Sequence, residues 1–338
     1  MRADTAPGVL VFGAGSIGCF VGGCLHAAGV PVQWVGRPRV IGLLRRHGLG
    51  LSDLSGWQQR LPAAQLHLHE QLPMGLKPAL VLLCVKSGDT AASAAQLAAA
   101  LPPGTPVLSL QNGVSNMELA RQHGPSLHFL PGMVPFNVAE LPEACFHRGT
   151  DGMLAAQDAP ALRPWVEPFR RAGLPLSLHA DLRAVQWGKL LLNLNNPVNA
   201  MSGLPLRAQL LDRDYRLCTA ALMDEALAVL RSAGLAPARV TPLPPHWLPT
   251  LLRLPTPVFR VLAARMLRID AQARSSMADD LRLARRTEID ALCGEVCRLA
   301  RQHGSAAPLN ARMAELMAAA EAARLPPNGA ALWRLLGR

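Results

Sequence analysis

The chain has 338 residues, half of them hydrophobic and 17% charged. That is enough apolar material for more than one core and too little charge for a disordered chain. The net charge of +11 invites nucleic acid as a partner, yet basic residues are spread along the whole chain and only 4% of residues are aromatic. A basic stripe and stacking platforms are both missing, so no nucleic-acid partner is expected. The seven cysteines are scattered, with no CxxC pair and no Cys/His ligand spacing. Reduced thiols, a cytoplasmic location and no metal site follow as expectations. No uncharged apolar stretch reaches membrane-spanning length, so no membrane association is expected. A homodimer stays open.

The basic residues are unevenly divided. Lysine and arginine total 34, yet the lysines are only Lys77, Lys86 and Lys189. Arginine replaces lysine on a solvated surface at little cost, but a guanidinium does not give up a proton. A lysine kept in so arginine-rich a chain is therefore a candidate for proton chemistry. Lys77, in a proline-flanked loop, has no such context.

In chain order, Val9–Phe12 is a short apolar run suited to a buried parallel strand. Glycines follow, then an apolar helix from Ser16 that stops near Gly29. A second strand is predicted over 31–35, a weak hairpin over 48–62 and a third buried strand over 79–85. An alanine-rich helix follows over 89–101, then strands over 106–110, 129–138, 152–156 and 174–179. The alternation predicts an α/β fold, an N-terminal Rossmann-type doubly wound sheet over residues 1–180. Helical periodicity takes over from residue 181 to the end and predicts an all-helical C-terminal domain. Within it, 236–257 is rich in proline and reads as an irregular connection, with long helices resuming at Pro257 and at Ser276.

Three constellations carry chemistry. The first is Gly13-Ala14-Gly15-Ser16-Ile17-Gly18, a GxGxxG between a strand and a helix. Gly13 suits a tight turn, Gly15 lets backbone approach a pyrophosphate on the helix N-terminus, and Gly18 lets helix and strand pack closely. After the second strand comes Val35-Gly36-Arg37-Pro38-Arg39, with no acid before Asp53. An NAD site would place a carboxylate there for the ribose hydroxyl. Arg37 suits a 2′-phosphate instead, which favours NADP(H) as cofactor. The second constellation is Lys189, Asn193 and Asn196, at i, i+4 and i+7 on one face of a helix running through four leucines. An ammonium and two amides on such a face either bond one another or meet a polar ligand. The third lies between Ser275-Ser276-Met277 and Thr287-Glu288-Ile289-Asp290. Read as one helix, Met277, Leu281, Ala284, Glu288 and Leu292 form a stripe in which Glu288 is the lone carboxylate. A buried carboxylate requires a cation, and Lys189, Arg285 and Arg286 are the candidates.

These pieces in this order, with Lys86 after the third buried strand and Gln111-Asn112-Gly113, resemble the ketopantoate reductase (2-dehydropantoate 2-reductase) family over the whole chain. The resemblance implies NADPH-dependent reduction of ketopantoate to pantoate in pantothenate synthesis. It implies Lys189 as the acid that protonates the ketone oxygen and Glu288 as its partner. Asn193, Asn196 and Ser276 would bind the small 2-oxo acid substrate. The glycine loop, Arg37, Lys86 and Asn112 would bind the cofactor. The chain departs from the family's pattern on the substrate side. Position 197 is proline where a second asparagine is common, so Asn196 comes one residue early, and Ala273-Arg274 precedes Ser275 where some members carry a substrate-binding asparagine. Two other readings stand beside the first: an NADP-dependent reductase or dehydrogenase of another 2-oxo or 2-hydroxy acid, and a non-catalytic NADP(H)-binding regulator.

Overall fold

The computed structural model describes residues 8–264, 266–267, 273–321 and 328–337. The chain divides into two compact units, Met1–Leu182 and Arg183–Arg338.

The first unit is built on twelve strands. These are β1 (Val9–Phe12), β2 (Val32–Val35), β3 (Leu49–Asp53), β4 (Gln58–Leu61), β5 (His67–His69), β6 (Leu80–Leu83), β7 (Pro106–Ser109), β8 (His128–Met133), β9 (Val138–Leu141), β10 (Cys145–Arg148), β11 (Leu154–Gln157) and β12 (Leu176–His179). Five helices join them: α1 (Ser16–Ala27), α2 (Pro38–His47), α3 (Thr90–Ala100), α4 (Asn116–His123) and α5 (Val166–Arg171). Eight strands form one sheet in the order β12-β11-β8-β7-β6-β1-β2-β5. From β5 to β8 all pairs are parallel, and β11 joins antiparallel to β8. The sequence order reverses at β1, between β2 and β6, which is the switch point of a doubly wound sheet. The central strands β1 and β6 are buried along their whole length, as continuous apolar runs covered on both faces must be.

The hairpin expected over 48–62 exists as β3 and β4, but it belongs to a separate four-stranded sheet, β4-β3-β10-β9. Its central pairing is parallel, Cys145 opposite Gly50 through Arg148 opposite Asp53. That sheet packs on α1, close enough that a Cβ on Gly23 would stand 2.8 Å from Leu49. The run 129–138 is accordingly not one strand: β8 ends at Met133 and β9 opens at Val138 in the other sheet.

The second unit is helical throughout its described residues. It comprises α6 (Leu182–Asn193), α7 (Asn195–Ser202), α8 (Leu206–Leu211), α9 (Arg213–Ser232), α10 (Leu248–Arg253), α11 (Thr256–Leu262), α12 (Ser276–Arg282), α13 (Cys293–Gln302), α14 (Pro308–Ala320) and α15 (Gly329–Leu335). The 20-residue α9 is the hub, packing against α7, α8, α10, α13, α14 and α15. The proline-rich connection is more regular than expected. Pro249 and Pro257 sit in the first turns of α10 and α11, where a missing N–H breaks no helical bond. The buried guanidinium of Arg216 on α9 ties this region together. It donates to the carbonyls of Leu210, Leu252 and Leu254 at 2.8–2.9 Å and lies 4.2 Å from the centre of the Phe259 ring.

The helices expected to run long from 257 and 276 are seven residues each. The stop after α12 has a visible cause. Ala284 takes φ +49, Ala284 N–H bonds to Leu281 O, and Arg285 N–H reaches back to Asp280 O at 2.8 Å. This is a left-handed helix terminus of the kind glycine usually makes. A side chain in that region is strained. Replacing Ala284 with glycine should stabilise the protein by about 0.5–1 kcal/mol. The expected result is a higher urea midpoint at unchanged slope; an equal or lower midpoint would show that the turn carries no strain.

Candidate active site

In the first unit the candidate residues gather at the carboxyl ends of β1, β2, β6 and β7. Gly13 follows β1 with φ +106, and a Cβ there would stand 2.6 Å from Val85 N. Its N–H and that of Ala14 both bond to Val35 O, which locks the loop to β2. A Cβ on Gly18 would stand 2.3 Å from Gly13 O, so helix and loop meet without room for a side chain. Gly15 is different. Its φ of −93° is open to any residue, and a Cβ there would meet nothing within 4 Å. It caps α1 without a side-chain hydrogen bond, and the first turn, including Ser16 and Ile17, holds no acid. Bare N–H groups at the positive end of a helix, with open space above them, suit an anion such as a pyrophosphate.

Arg37 caps α2 and is 80% exposed, and its Nη2 lies 3.0 Å from a carboxylate oxygen of Asp89. Lys86, half-buried, follows β6 and opens the short 3₁₀ turn Ser87–Asp89. Asn112 follows β7, and its carbonyl accepts from Ser87 Oγ at 2.9 Å and from the Asn116 amide. Gln111 turns inward, donating to Val85 O at 3.1 Å and to Thr90 Oγ1 at 2.8 Å. Ser87, Gln111 and Asn116 thus stitch the Lys86 and Asn112 loops together. Gln111 belongs to the Gln111-Asn112-Gly113 motif, whereas Ser87 and Asn116 carry no local sequence signal for this role, since it depends on two loops 25 or more residues apart.

In the second unit Lys189 sits on α6, half-buried, and interacts with Glu288. Burial dominates its titration and lowers the amine from 10.5 to about 8, while the Glu288 carboxylate pulls it back upward. The Glu288 carboxylate acts electrostatically on the Lys189 amine, and Arg286 reaches Asp290 at 3.9 Å. Gly188 lets the proline-rich connection lie directly on the helix: a Cβ there would stand 2.3 Å from Ala238 O, and Ala238 N–H bonds to Ala184 O.

Two local readings are corrected. Lys189, Asn193 and Asn196 do not share one helix. α6 ends at Asn193, Leu194 intervenes, and α7 begins at Asn195. Pro197 in the first turn of α7 has no N–H to continue the earlier ladder. Glu288 is likewise not part of a stripe on α12. It follows the Ala284 turn and precedes the 3₁₀ turn Ile289–Ala291. Asn193 and Asn196 flank the break, both half-buried. Ser276 is the exposed first residue of α12. It is held near α7 by its neighbour: Ser275 N–H donates to Asn199 Oδ1 at 2.9 Å, Ser275 Oγ donates to Asn196 O at 3.2 Å, and the same oxygen accepts from Ala278 N–H. Asn195 is used internally, bonded to Gln209 and Thr219. Asn199 and Ser275 are thus supporting residues that sequence reading missed, the only hint being a second serine at a helix start.

Among the described residues no group of three or more His, Cys, Asp or Glu is placed to hold a metal ion. No helix there is long and apolar enough to cross a membrane.

Comparison with known proteins covers both units. A family model described as Ketopantoate reductase PanE/ApbA matches residues 9–160, and one described as Ketopantoate reductase PanE/ApbA C terminal matches residues 181–321. The 2-dehydropantoate 2-reductase of Pyrococcus horikoshii is 28% identical over 321 residues, covering 93% of this chain and 97% of that protein. The crystal structure of a PanE/ApbA family ketopantoate reductase from Ralstonia eutropha JMP134 superposes with a TM-score of 0.78 at 27% identity, covering 93% of this chain and 98% of that one. A D-mandelate dehydrogenase solved with NADH and anilino(oxo)acetate shares the fold, with a TM-score of 0.76 at 17% identity and coverage of 93% and 98%. With both halves matched in order, the chain belongs to the ketopantoate reductase family, a family of oxidoreductases.

Proposed function

We propose that this protein reduces a small 2-oxo acid with NADPH, ketopantoate being the first candidate and pantoate its product. The observation that carries the reading is Lys189: an amine lowered to about 8 by burial, with the Glu288 carboxylate acting on it, in a chain with three lysines. An acid with a pKa near the working pH is both populated and able to give up its proton.

The open edge of the first unit fits a dinucleotide. The N–H groups of the glycine loop would take the pyrophosphate, with Lys86 and Asn112 on the neighbouring loops, and the exposed fork of Arg37 would take a 2′-phosphate. The bound dihydronicotinamide would supply a hydride to the substrate's carbonyl carbon. The chain's own part is the proton. Lys189 donates it to the carbonyl oxygen as the C=O π bond becomes a C–O single bond, and the lysine is left as a neutral amine. Glu288 holds the ammonium in place before transfer. Asn193, Asn196 and Ser276 offer two amides and a hydroxyl for the substrate's oxygens. A regulator that only senses NADP(H) would need the glycine loop and Arg37 but none of this second set.

A second substrate reading has an observation of its own. Pro197 stands where the family commonly has a second asparagine, and α6 and α7 break at Leu194, so the substrate-side amides depart from the family's pattern, and a 2-oxo acid other than ketopantoate is the alternative. A panel of 2-oxo acids assayed by NADPH oxidation decides between them: the acid with the highest kcat/KM identifies the substrate, and no turnover with any would leave the sensor reading.

Replacing Lys189 with alanine should lower kcat by about 10²- to 10⁴-fold while NADPH binding is retained. For the parent enzyme, kcat should be flat at neutral pH, where the amine is protonated, and fall as pH rises through about 8, where it is not. Undiminished turnover in the alanine variant, or a flat profile to pH 10 with chemistry rate-limiting, would remove Lys189 as the acid.

The Arg37–Asp89 contact makes a separate prediction about the cofactor. A 2′-phosphate must displace the Asp89 carboxylate from the arginine. Arg37→Ala should weaken NADPH about 10- to 100-fold and NADH far less. Asp89→Asn should tighten NADPH a few-fold by freeing the fork. Equal losses for the two cofactors in the arginine variant would show that Arg37 does not read the phosphate.

A further inference from the structure

Glu321, which caps the C-terminus of α14, stands outside every motif considered so far. Its Oε1 accepts two hydrogen bonds from one residue: the backbone N–H of Thr287 at 2.9 Å and the Thr287 hydroxyl at 2.8 Å. Thr287 is buried, 8% exposed, and immediately precedes Glu288. The backbone here belongs to neither helix nor strand. α12 has ended at Arg282, Ala284 has turned the chain, and the next 3₁₀ turn starts only at Ile289. Such a segment has no ladder of backbone bonds to fix it, so its position depends on side-chain anchors. A carboxylate oxygen that takes both donors of Thr287 fixes its backbone and side chain together.

We propose that Glu321 is a positioning residue for the reduction: by anchoring Thr287 it sets where the Glu288 carboxylate stands relative to the Lys189 amine. This deepens the functional reading above and rests on it. The other charged groups of the segment are Arg285, Arg286 and Asp290, the last two paired with each other. Glu321 acts through the hydrogen bonds it accepts, not through its own charge.

The scarcity of lysine permits a direct test. With ¹³C-labelled lysine the protein gives three side-chain signals, assigned by Lys77→Arg and Lys189→Arg, so the Lys189 amine is titrated without reference to turnover. In Glu321→Ala the Glu288 carboxylate loses its fixed place, and the Lys189 titration should move below about 8 by roughly half a unit or more. The alkaline limb of kcat should move with it, while KM for NADPH stays unchanged. Glu321→Gln keeps an oxygen acceptor and should titrate close to the parent. Thr287→Val should reproduce the alanine result in part, and Thr287→Ser should restore it; this pair decides the matter should Glu321→Ala fail to fold. A Lys189 titration that stays put in both Glu321→Ala and Thr287→Val overturns the proposal. So does Glu321→Gln shifting as far as Glu321→Ala, which would mean action by charge. If Lys189→Ala retains turnover while Glu321→Ala still moves the amine, the acid assignment falls and the anchoring of Glu288 stands.

Discussion

A buried ammonium is the constraint on which the second unit's arrangement depends. Taking the Lys189 amine out of water favours its neutral form, and the opposing pull of Glu288 is weaker than that cost, so the amine settles near 8. Burial alone would take the amine lower still, and the carboxylate alone would raise it. The balance ties together segments far apart in the chain. Lys189 comes from the first helix of the unit and Glu288 from an irregular stretch 99 positions later.

The candidate substrate groups inherit their places from the same packing. α7 and the start of α12 are joined through Ser275, whose N–H and hydroxyl both bond to α7 and whose oxygen also caps α12. One buried serine therefore fixes the entry of a seven-residue helix that could not stand alone. Ser276, next in sequence, is left exposed at that fixed point. The first unit solves a different problem. Its strands end together, and the loops that follow β6 and β7 bond to each other through Ser87, Gln111 and Asn116. The backbone N–H groups at the start of α1 receive no side-chain cap from Gly15.

How much of this was legible in the residues depends on range. Val9–Phe12, the glycine loop and α1 are local: an apolar run, a forced φ at Gly13 and an apolar helix need no distant partner to be recognised, and their bounds match the structure closely. The four-stranded sheet was not legible. β9 and β10 are four residues each, with Glu140, His147 and Arg148 interrupting their apolar positions, and β10 pairs with β3 about 95 positions away, a contact that no local pattern announces. The two helical stripes failed for a shared reason. Periodicity was extended through residues that end helices: Pro197 just after the leucine run, and Ala284, whose left-handed conformation nothing in an alanine signals. Glu288 stood out as a lone carboxylate only through the second stripe, with Lys189, Arg285 and Arg286 all open as its cation; its electrostatic pull on Lys189 is visible in the structure alone.

The chain buries a second cation, and the contrast explains why lysine survives at 189. Arg216 is fully buried on α9, but its N–H groups are matched by three backbone carbonyls and the Thr256 hydroxyl, and its face lies on Phe259. The carbonyls it meets terminate α8 and α10, where the helix dipoles are negative. That site stabilises a permanent charge by geometry alone, and a planar guanidinium with five donors is the group suited to it. Lys189 has a different environment: apolar leucines along its helix and one carboxylate acting on it from another segment. An arginine there would remain charged at every accessible pH and could hold a substrate oxygen, but it could not give that oxygen a proton. A chain that uses arginine almost everywhere else, and buries one where fixed carbonyls match its charge, has at 189 the one of the two cations that can give up a proton.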